Sequence, residues 1–262
     1  MGGHAEAILE RSGEDVRLLG LDRDPEAVDR ARARLGRYAE RVRLRHATFA
    51  DVADVAAEEG VTAARSILLD LGVSSYQLDE AGRGFSFSAD EPLDMRLDPT
   101  SRPTAAALLN ELPEAELARI IFEYGDERYA RRIARAIVRR RPLTTTGDLV
   151  ATVRAAVPRA AWSPRRHVAT RTFQAIRMAV NDEQGALRRA LQQTPALLAP
   201  RGRLGIIAFH SGEDRIVKQT FRTLARQGFA ELEPSPLMPG DDEVRANARA
   251  RTARLRVLER LP

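Results

Sequence analysis

Short apolar runs alternate with amphipathic stretches towards both ends of the chain. The run at 16–22 has the length of a buried parallel strand, and Asp24 followed by Pro25 is typical of a helix N-cap and first turn. The same reasoning predicts further strands at 41–44, 66–70, 202–209, 229–233 and 253–260, and helices at 5–11, 25–35, 51–59 and 213–227. This alternation predicts an α/β fold around a parallel sheet.

The middle of the chain carries only the helical pattern. A loop rich in Gly, Ser, Asp and Pro runs from 71 to 102, and helices are then predicted at 104–110, 114–122, 127–141, 146–157, 170–181 and 182–198. The simplest architecture is a doubly wound α/β core at 1–100 and 180–262, interrupted by an all-helical insert at 101–179. The segment 234–250 is predicted to be a turn-rich loop.

Composition narrows the function classes. The 262 residues are 44% hydrophobic and 30% charged, which is a globular composition, and no apolar run approaches the ~20 residues that span a bilayer. Without a signal sequence, a cytoplasmic location is expected. The absence of cysteine excludes disulfides, thiolate nucleophiles and Cys-ligated zinc, and the four dispersed histidines predict no metal site.

Positive charge is concentrated on one predicted helix. The net charge is +5, and every basic residue except Lys218 is arginine, which suits bidentate phosphate contact. In the helix at 127–141 the spacing puts one basic stripe opposite Ile133 and Ile137; the stripe consists of Arg128, Arg131, Arg132, Arg135 and Arg139. We interpret it as an RNA-binding surface, with a merely solvated face as the alternative.

Two features suggest a ligand site at the edge of the predicted sheet. Gly2 and Gly3 precede a helix, and Asp22 ends the first strand, where nucleotide-binding folds place a carboxylate on ribose. Asp70 ends the third strand and leads into Ser74 and Ser75, whose small polar side chains can accept hydrogen bonds. For the first feature the alternative is an ordinary strand-end aspartate after a flexible terminus. For the second it is a strand followed by a turn of small residues.

Two more segments are candidates for chemistry. The loop 82–87 holds Phe85 and Phe87 beside an arginine, which suits either stacking of a splayed-out base or plugging of the seam between core and insert. The segment 209–215 contains histidine, serine and aspartate, but no GxSxG turn accompanies them, so hydrolase chemistry is not favoured. Ser211 to Asp214 matches a helix capping box, and His210 stays a catalytic candidate if it faces the cleft.

Taken together, the motifs resemble those of the bacterial ribosomal RNA small-subunit methyltransferase H family, also called MraW. The resemblance runs through nearly the whole chain. Its motifs are Gly-Gly-His at 2–4, Leu-Asp-Arg-Asp at 21–24, Leu-Leu-Asp-Leu-Gly-Val-Ser-Ser at 68–75, Arg-Gly-Phe-Ser-Phe at 83–87, Pro-Leu-Asp-Met-Arg at 92–96, Ala-Thr-Arg-Thr-Phe-Gln-Ala at 169–175 and Met-Pro-Gly at 238–240.

The resemblance implies a Rossmann-like methyltransferase core that uses S-adenosylmethionine to methylate the N4 amine of a cytidine in 16S ribosomal RNA. Ser74, Ser75 and His210 are then the catalytic candidates. The implied cofactor contacts are Gly2, Gly3, His4, Asp22, Phe49, Asp70 and Gln77. The implied partner is small-subunit ribosomal RNA or an assembling 30S subunit, with no membrane and no metal, and a homodimer is left open.

The chain departs from the family pattern at three places. Tyr76 stands where the family has proline, Gly212 stands where it has leucine, and the strand that leads into Gly-Gly-His is not in the sequence. Since that strand is central in such a sheet, its absence would leave two strand edges unpaired. We therefore expect either an upstream start or a chain that folds poorly and binds cofactor weakly.

Two other functions remain open at this stage. An NAD-dependent dehydrogenase would share the glycine turn and the ribose carboxylate, but it would not explain the helical insert or the basic stripe. An RNA-binding remnant of the family, without catalysis, would show salt-sensitive RNA affinity and no methyl transfer.

Overall fold

The computed structural model describes residues 1–79, 82–164 and 166–262, apart from the side chains of Ser75 and Asp79. The chain divides into two compact units. Residues 1–72 and 184–262 form the core unit, and residues 73–183 form the helical unit. Among the described residues, no helix combines the length and the apolar character needed to cross a membrane.

The elements follow the predicted order. The strands are β1 (Leu18–Asp22), β2 (Val42–His46), β3 (Ala64–Asp70), β4 (Leu198–Ala208), β5 (Phe229–Glu231) and β6 (Arg254–Arg260). The helices are α1 (Gly3–Arg11), α2 (Pro25–Arg34), α3 (Val52–Glu58), α4 (Ser75–Asp79), α5 (Ala105–Glu111), α6 (Glu114–Gly125), α7 (Ala130–Arg140), α8 (Thr146–Ala156), α9 (Thr170–Val180), α10 (Glu183–Leu197), α11 (Ser211–Leu224) and α12 (Asp241–Ala246).

Among the described strands of the core unit, two pairs are parallel and two are antiparallel. Strand β1 runs parallel to β2, and β3 runs parallel to β4, while β6 lies antiparallel between β4 and β5. The predicted α/β alternation, with a helical insert, is confirmed. The strands form two sheets rather than one, and β1 and β3 are each the end strand of their sheet.

Side chains join the loop after β2 to the second sheet. That sheet is covered by a core that includes Leu69, Leu204, Ile206, Phe221 and Leu258, and Phe49 packs against this core. On α10, Gln193 makes two hydrogen bonds to the backbone that follows β2, one in the loop and one in the first turn of α3. Its Nε2 donates to the Ala50 carbonyl at 2.7 Å, and its Oε1 accepts from the Ala53 amide at 3.0 Å.

A buried ion cluster fixes α11 on β6. Arg256 is 5% exposed, and it donates to Asp214 at 2.7 Å and to Glu231 at 2.9 Å. Burial alone would raise the pKa of Asp214, but hydrogen bonds from Arg256 and Arg254 outweigh it, so the pKa is lowered. The cluster therefore stays charged and paired, and the pairing offsets the desolvation cost of burying these charged groups.

The segment after residue 82 belongs with the helices. Leu93, Met95 and Leu97 are buried in the core of the helical unit. Asn181, the C-cap of α9, holds the last two, because its amide nitrogen donates to the Met95 carbonyl at 2.7 Å and its oxygen accepts from the Leu97 amide at 2.9 Å. The contacts therefore divide the chain between 72 and 73, whereas the boundary predicted from the sequence lies between 100 and 101.

Two sequence predictions about local structure are wrong. The predicted turn-rich loop at 234–250 contains α12, whose first turn carries three acidic side chains that favour a helix N-terminus. The predicted capping box at Ser211 to Asp214 lies one residue too late. His210 is the N-cap of α11, with Glu213 at the third helical position.

Replacing Gln193 should loosen the first sheet. Gln193→Ala removes two hydrogen bonds worth about 1 kcal/mol each, so opening of β1 and β2 should become about 2 kcal/mol easier. Amide hydrogen exchange read by mass spectrometry measures this difference. The neighbouring Gln192 is exposed, and Gln192→Ala is the matched control, expected to leave exchange unchanged. Equal exchange in both variants would mean that Gln193 does not hold the loop.

Candidate active site

Asp22 provides an acceptor at the carboxyl end of β1. Its Oδ1 accepts from the Asp24 amide at 2.9 Å, and no described residue bonds its Oδ2. Burial raises the pKa of Asp22, and the hydrogen bond from the Asp24 amide offsets part of that rise. One carboxylate oxygen is therefore fixed and the other is available to a ligand.

The start of α1 requires glycine at position 2. Gly2 is the N-cap of the helix, with a left-handed φ of 79°. A Cβ there would lie 3.3 Å from the Ala31 Cα of α2, so a side chain would be both strained and crowded. The backbone at Gly2 and Gly3 thus lies close against α2, which packs on β1, the strand that ends in Asp22.

His4 contacts Asp70. The His4 Nδ1 lies 3.2 Å from the Asp70 Oδ2, and both side chains are about half exposed. The hydrogen bond to Asp70 raises the pKa of His4, although burial acts in the opposite direction. Because Asp70 ends β3, this contact brings the first turn of α1 to the carboxyl end of the second sheet.

Phe49 lies in the loop that follows β2. The residues Phe49–Asp51 form a short 3-10 helix capped by the Thr48 hydroxyl. The Ala47 amide donates to the Asp22 carbonyl at 3.0 Å, which holds the start of this loop beside the end of β1. Four predicted cofactor residues, at 4, 22, 49 and 70, thus stand at strand ends or at the helix start next to them.

Ser74 and Gln77 form a reciprocal cap at the start of α4. The Ser74 Oγ accepts from the Gln77 amide at 3.2 Å, and the Gln77 Oε1 accepts from the Ser74 amide at 2.8 Å. Both residues belong to the helical unit. The Ser75 side chain lies outside the described part of the structure, so the prediction for Ser75 stays a prediction.

His210 is held at the N-terminus of α11. Its Nδ1 accepts from the Glu213 amide at 3.3 Å, and its Nε2 lies 3.1 Å from the Glu213 Oε1 at an ion-pair distance. Glu213 is itself almost fully buried, and its other oxygen accepts from the Phe209 amide. Both ring nitrogens of His210 thus face Glu213, an arrangement that suits a structural role.

The two phenylalanines of the glycine-flanked loop have different roles. Phe85 is buried in the core of the helical unit. Phe87 is half-buried, stacks on His167 at 4.5 Å between ring centres, and meets the edge of Phe173 at 5.3 Å. Burial and the nearby charge of Arg154 lower the pKa of His167. His167 was not predicted as a site residue, because its only signal in the sequence is the neighbouring arginines.

The predicted arginine stripe is exposed. Ile133 and Ile137 are fully buried beneath α7, and the opposite face carries the basic side chains. The helix begins at Ala130 instead of the predicted 127, because the Glu127 carboxylate accepts from the Tyr129 amide just before it. Arg128 therefore precedes the helix, and the other four stripe residues lie on it.

Comparison with known proteins identifies the family. The profile of the MraW methylase family matches residues 1–261. The chain belongs to the MraW methylase family. This family supports the methyltransferase interpretation of the glycine turn, Asp22 and Asp70, since none of those positions alone distinguishes a methyltransferase from another nucleotide-binding fold.

Relatives in this family match the chain almost from end to end. Ribosomal RNA small subunit methyltransferase H of Heliobacterium modesticaldum is 48% identical over 99% of this chain and 90% of the relative. The protein of the same name from Symbiobacterium thermophilum is 50% identical over 99% and 88%. A crystal structure of a proposed rRNA-methylase from Clostridium thermocellum aligns over 99% of this chain and 83% of the other, at 10% identity with a TM-score of 0.46.

The pKa of His4 should depend on Asp70. Asp70→Asn removes the charge partner, so the pKa of His4 should fall towards its ordinary value of about 6.5. In the unchanged chain the contact stabilises the folded state fully below pH ~6.5, and this stabilisation is lost as the pH rises through the raised pKa of His4. NMR titration of the imidazole measures both values, and His167 in the same spectra is the internal control. An unchanged His4 would contradict the contact.

Proposed function

We propose that this chain transfers a methyl group from S-adenosylmethionine to the N4 amine of a cytidine in 16S ribosomal RNA. Membership of the MraW methylase family supports the methyltransferase activity, and the names of the relatives support small-subunit ribosomal RNA as the substrate. The observation that carries the proposal is the Asp22 carboxylate, with one oxygen free at the end of β1, beside the glycine start of α1.

The chemistry of the residues fits S-adenosylmethionine. A free carboxylate oxygen at a strand end suits a ribose hydroxyl, and Gly2 lets the start of α1 pack close against α2, which lies on the same strand. Half-exposed Asp70 and His4 supply an acceptor and a donor that a charged amino acid moiety requires. We assign Gly2, Gly3, His4, Asp22, Phe49, Asp70 and Gln77 to this cofactor.

The protein must orient a poor nucleophile. S-adenosylmethionine supplies an electrophilic methyl group on a sulfonium. The lone pair of the cytosine amine is delocalised into the ring, which makes the amine a poor nucleophile. Acceptor atoms that bind its N–H groups raise the reactivity of the amine and orient it towards the methyl group. We assign this task to Ser74, whose Oγ accepts one hydrogen bond from the Gln77 amide and has a second lone pair that can accept from the amine, with Ser75 and the Asp70 carboxylate as further acceptors.

His210 ranks below Ser74 as a catalytic residue. Its Nδ1 caps α11, and its Nε2 is buried 3.1 Å from the Glu213 Oε1, so neither ring nitrogen is open to substrate in this conformation. We assign RNA contact to the stripe of Arg128, Arg131, Arg132, Arg135 and Arg139, since exposed guanidinium groups bind phosphate.

Cofactor binding tests the first half of the proposal. S-adenosylmethionine should bind and NAD should not, as measured by equilibrium dialysis with labelled ligands. Asp22→Asn should weaken binding about 10- to 150-fold, because a charge-assisted hydrogen bond is worth about 1.5–3 kcal/mol. Asp29→Asn, on the exposed face of α2, is the control and should bind normally. Binding of NAD instead would support a dehydrogenase.

The methylated product tests the second half. Small-subunit RNA incubated with the chain and labelled cofactor should yield N4-methylcytidine on nuclease digestion and mass spectrometry. RNA binding without any methylated nucleoside would support a non-catalytic remnant. A methyl group on another atom of the RNA would remove the N4 assignment and keep the methyltransferase activity.

Ser74 can be tested separately from its capping role. Ser74→Ala should lower kcat about 100- to 1,000-fold, the range for losing one transition-state hydrogen bond, and should also lower Tm because the cap is lost. Ser74→Asn restores a good N-cap, so Tm should recover while kcat stays low. Recovery of kcat with Tm would mean that Ser74 acts only by capping α4.

A further inference from the structure

Helices α7 and α8 enclose a basic pocket in the helical unit. Its volume is about 260 Å³, below the roughly 300–1,000 Å³ of sites that enclose a drug-sized ligand. The lining consists of Arg132, Arg135, Arg139 and Arg140 around Ala136, Ala155 and Ala156. The small alanines let the guanidinium groups surround a space that fits a phosphate and part of a sugar.

The pocket holds positive charge that the protein does not neutralise. Among the described residues, Arg132, Arg139 and Arg140 have no ion pair, and Arg135 has only a long contact of 3.5 Å with exposed Glu114. Each of these arginines is solvent-exposed. Three unpaired cations and one weakly paired cation around one concave surface repel each other, so an anion bound there relieves that repulsion.

Trp162 and two arginines form a cation–π cluster beyond the end of α8. Trp162 is half-buried, and its Nε1–H donates to the Val157 carbonyl at 3.1 Å, which fixes the indole. The guanidinium groups of Arg154 and Arg159 lie 5.4 and 5.8 Å from its ring centre. Since Arg154 precedes Ala155 of the pocket lining, the two features share the last turn of α8.

We infer that the helical unit binds a single-stranded segment of RNA, with backbone phosphate in the α7–α8 pocket and an unpaired base on the Trp162 cluster. A basic groove beside an aromatic and guanidinium platform is the usual combination for single strands, because only unpaired bases offer a free face for stacking. The inference rests on the proposed function in taking RNA as the ligand.

Intrinsic fluorescence can report this binding directly, because Trp162 is the only tryptophan in the chain. The full chain is titrated with a single-stranded RNA of about ten nucleotides, within the ~4–16 nucleotides that single-strand binding domains cover. Stacking should quench the emission, and the same sequence in a duplex should bind at least about tenfold more weakly. Equal affinity for the duplex, or unchanged emission when anisotropy shows saturation, overturns the inference.

Variants separate the two parts of the surface. Arg154→Gln keeps the tryptophan and should weaken single-strand binding about tenfold, whereas Trp162→Phe keeps an aromatic ring and should cost only about threefold. In the double variant Arg139→Gln with Arg140→Gln, the slope of log K against log salt should become less steep by about 0.7 per arginine. Arg119→Gln is the matched control, since that exposed arginine of α6 is paired with Glu123. An unchanged slope removes the pocket from the RNA contact.

Failure here is distinguishable from failure of the proposed function. Single-strand binding with no methyl transfer would remove the enzymatic proposal and keep this surface. Methyl transfer at saturating RNA that is insensitive to Arg154→Gln, with an unchanged KM for RNA, would remove the surface and keep the enzyme.

Discussion

The position of Asp22 relative to Asp70 depends on side-chain contacts between two sheets. Their strands, β1 and β3, share no backbone pairing, so the ladder that normally fixes such a spacing does not act between them. Three side-chain contacts act instead of backbone pairing: the hydrogen bonds of Gln193, the packing of Phe49, and the contact of His4 with Asp70. Hydrogen bonds of this kind contribute about 1 kcal/mol each, which makes the candidate site sensitive to single substitutions remote from the ligand.

Local signals in the sequence predicted most of the secondary structure. Asp24 followed by Pro25 marked the start of α2, and the Asp24 carboxylate does accept from the Glu26 amide. The cap of α11 was misplaced by one residue because serine is the commoner N-cap, whereas here the imidazole of His210 accepts the amide hydrogen bond. Helix α12 was not predicted, because the proline and glycine just before it are typical of turns and favoured a loop over the whole segment.

Contacts between distant residues could not be predicted from local signals. Residues 4 and 70, or 50 and 193, are brought together by the tertiary fold, and neither pair carries a periodicity or spacing that points to the other. The family motifs predicted more, because they identify which residues belong to the candidate site. They do not predict the distances between those residues. Phe85 is an example. Its motif is compatible with stacking on a base or with packing inside the protein, and only its burial in the structure shows that it packs.

Arginine content by itself says little about RNA, because this chain uses arginine in two ways. In the core unit, Arg34 and Arg37 pair with Glu6, and Arg256 pairs with Asp214, so those cations stabilise the fold. On α7 the exposed guanidinium groups have few acidic partners. Cations that the protein itself does not pair are available to bind the phosphates of an RNA. The pairing state of each arginine, which only the structure reveals, is therefore the better guide to where RNA binds.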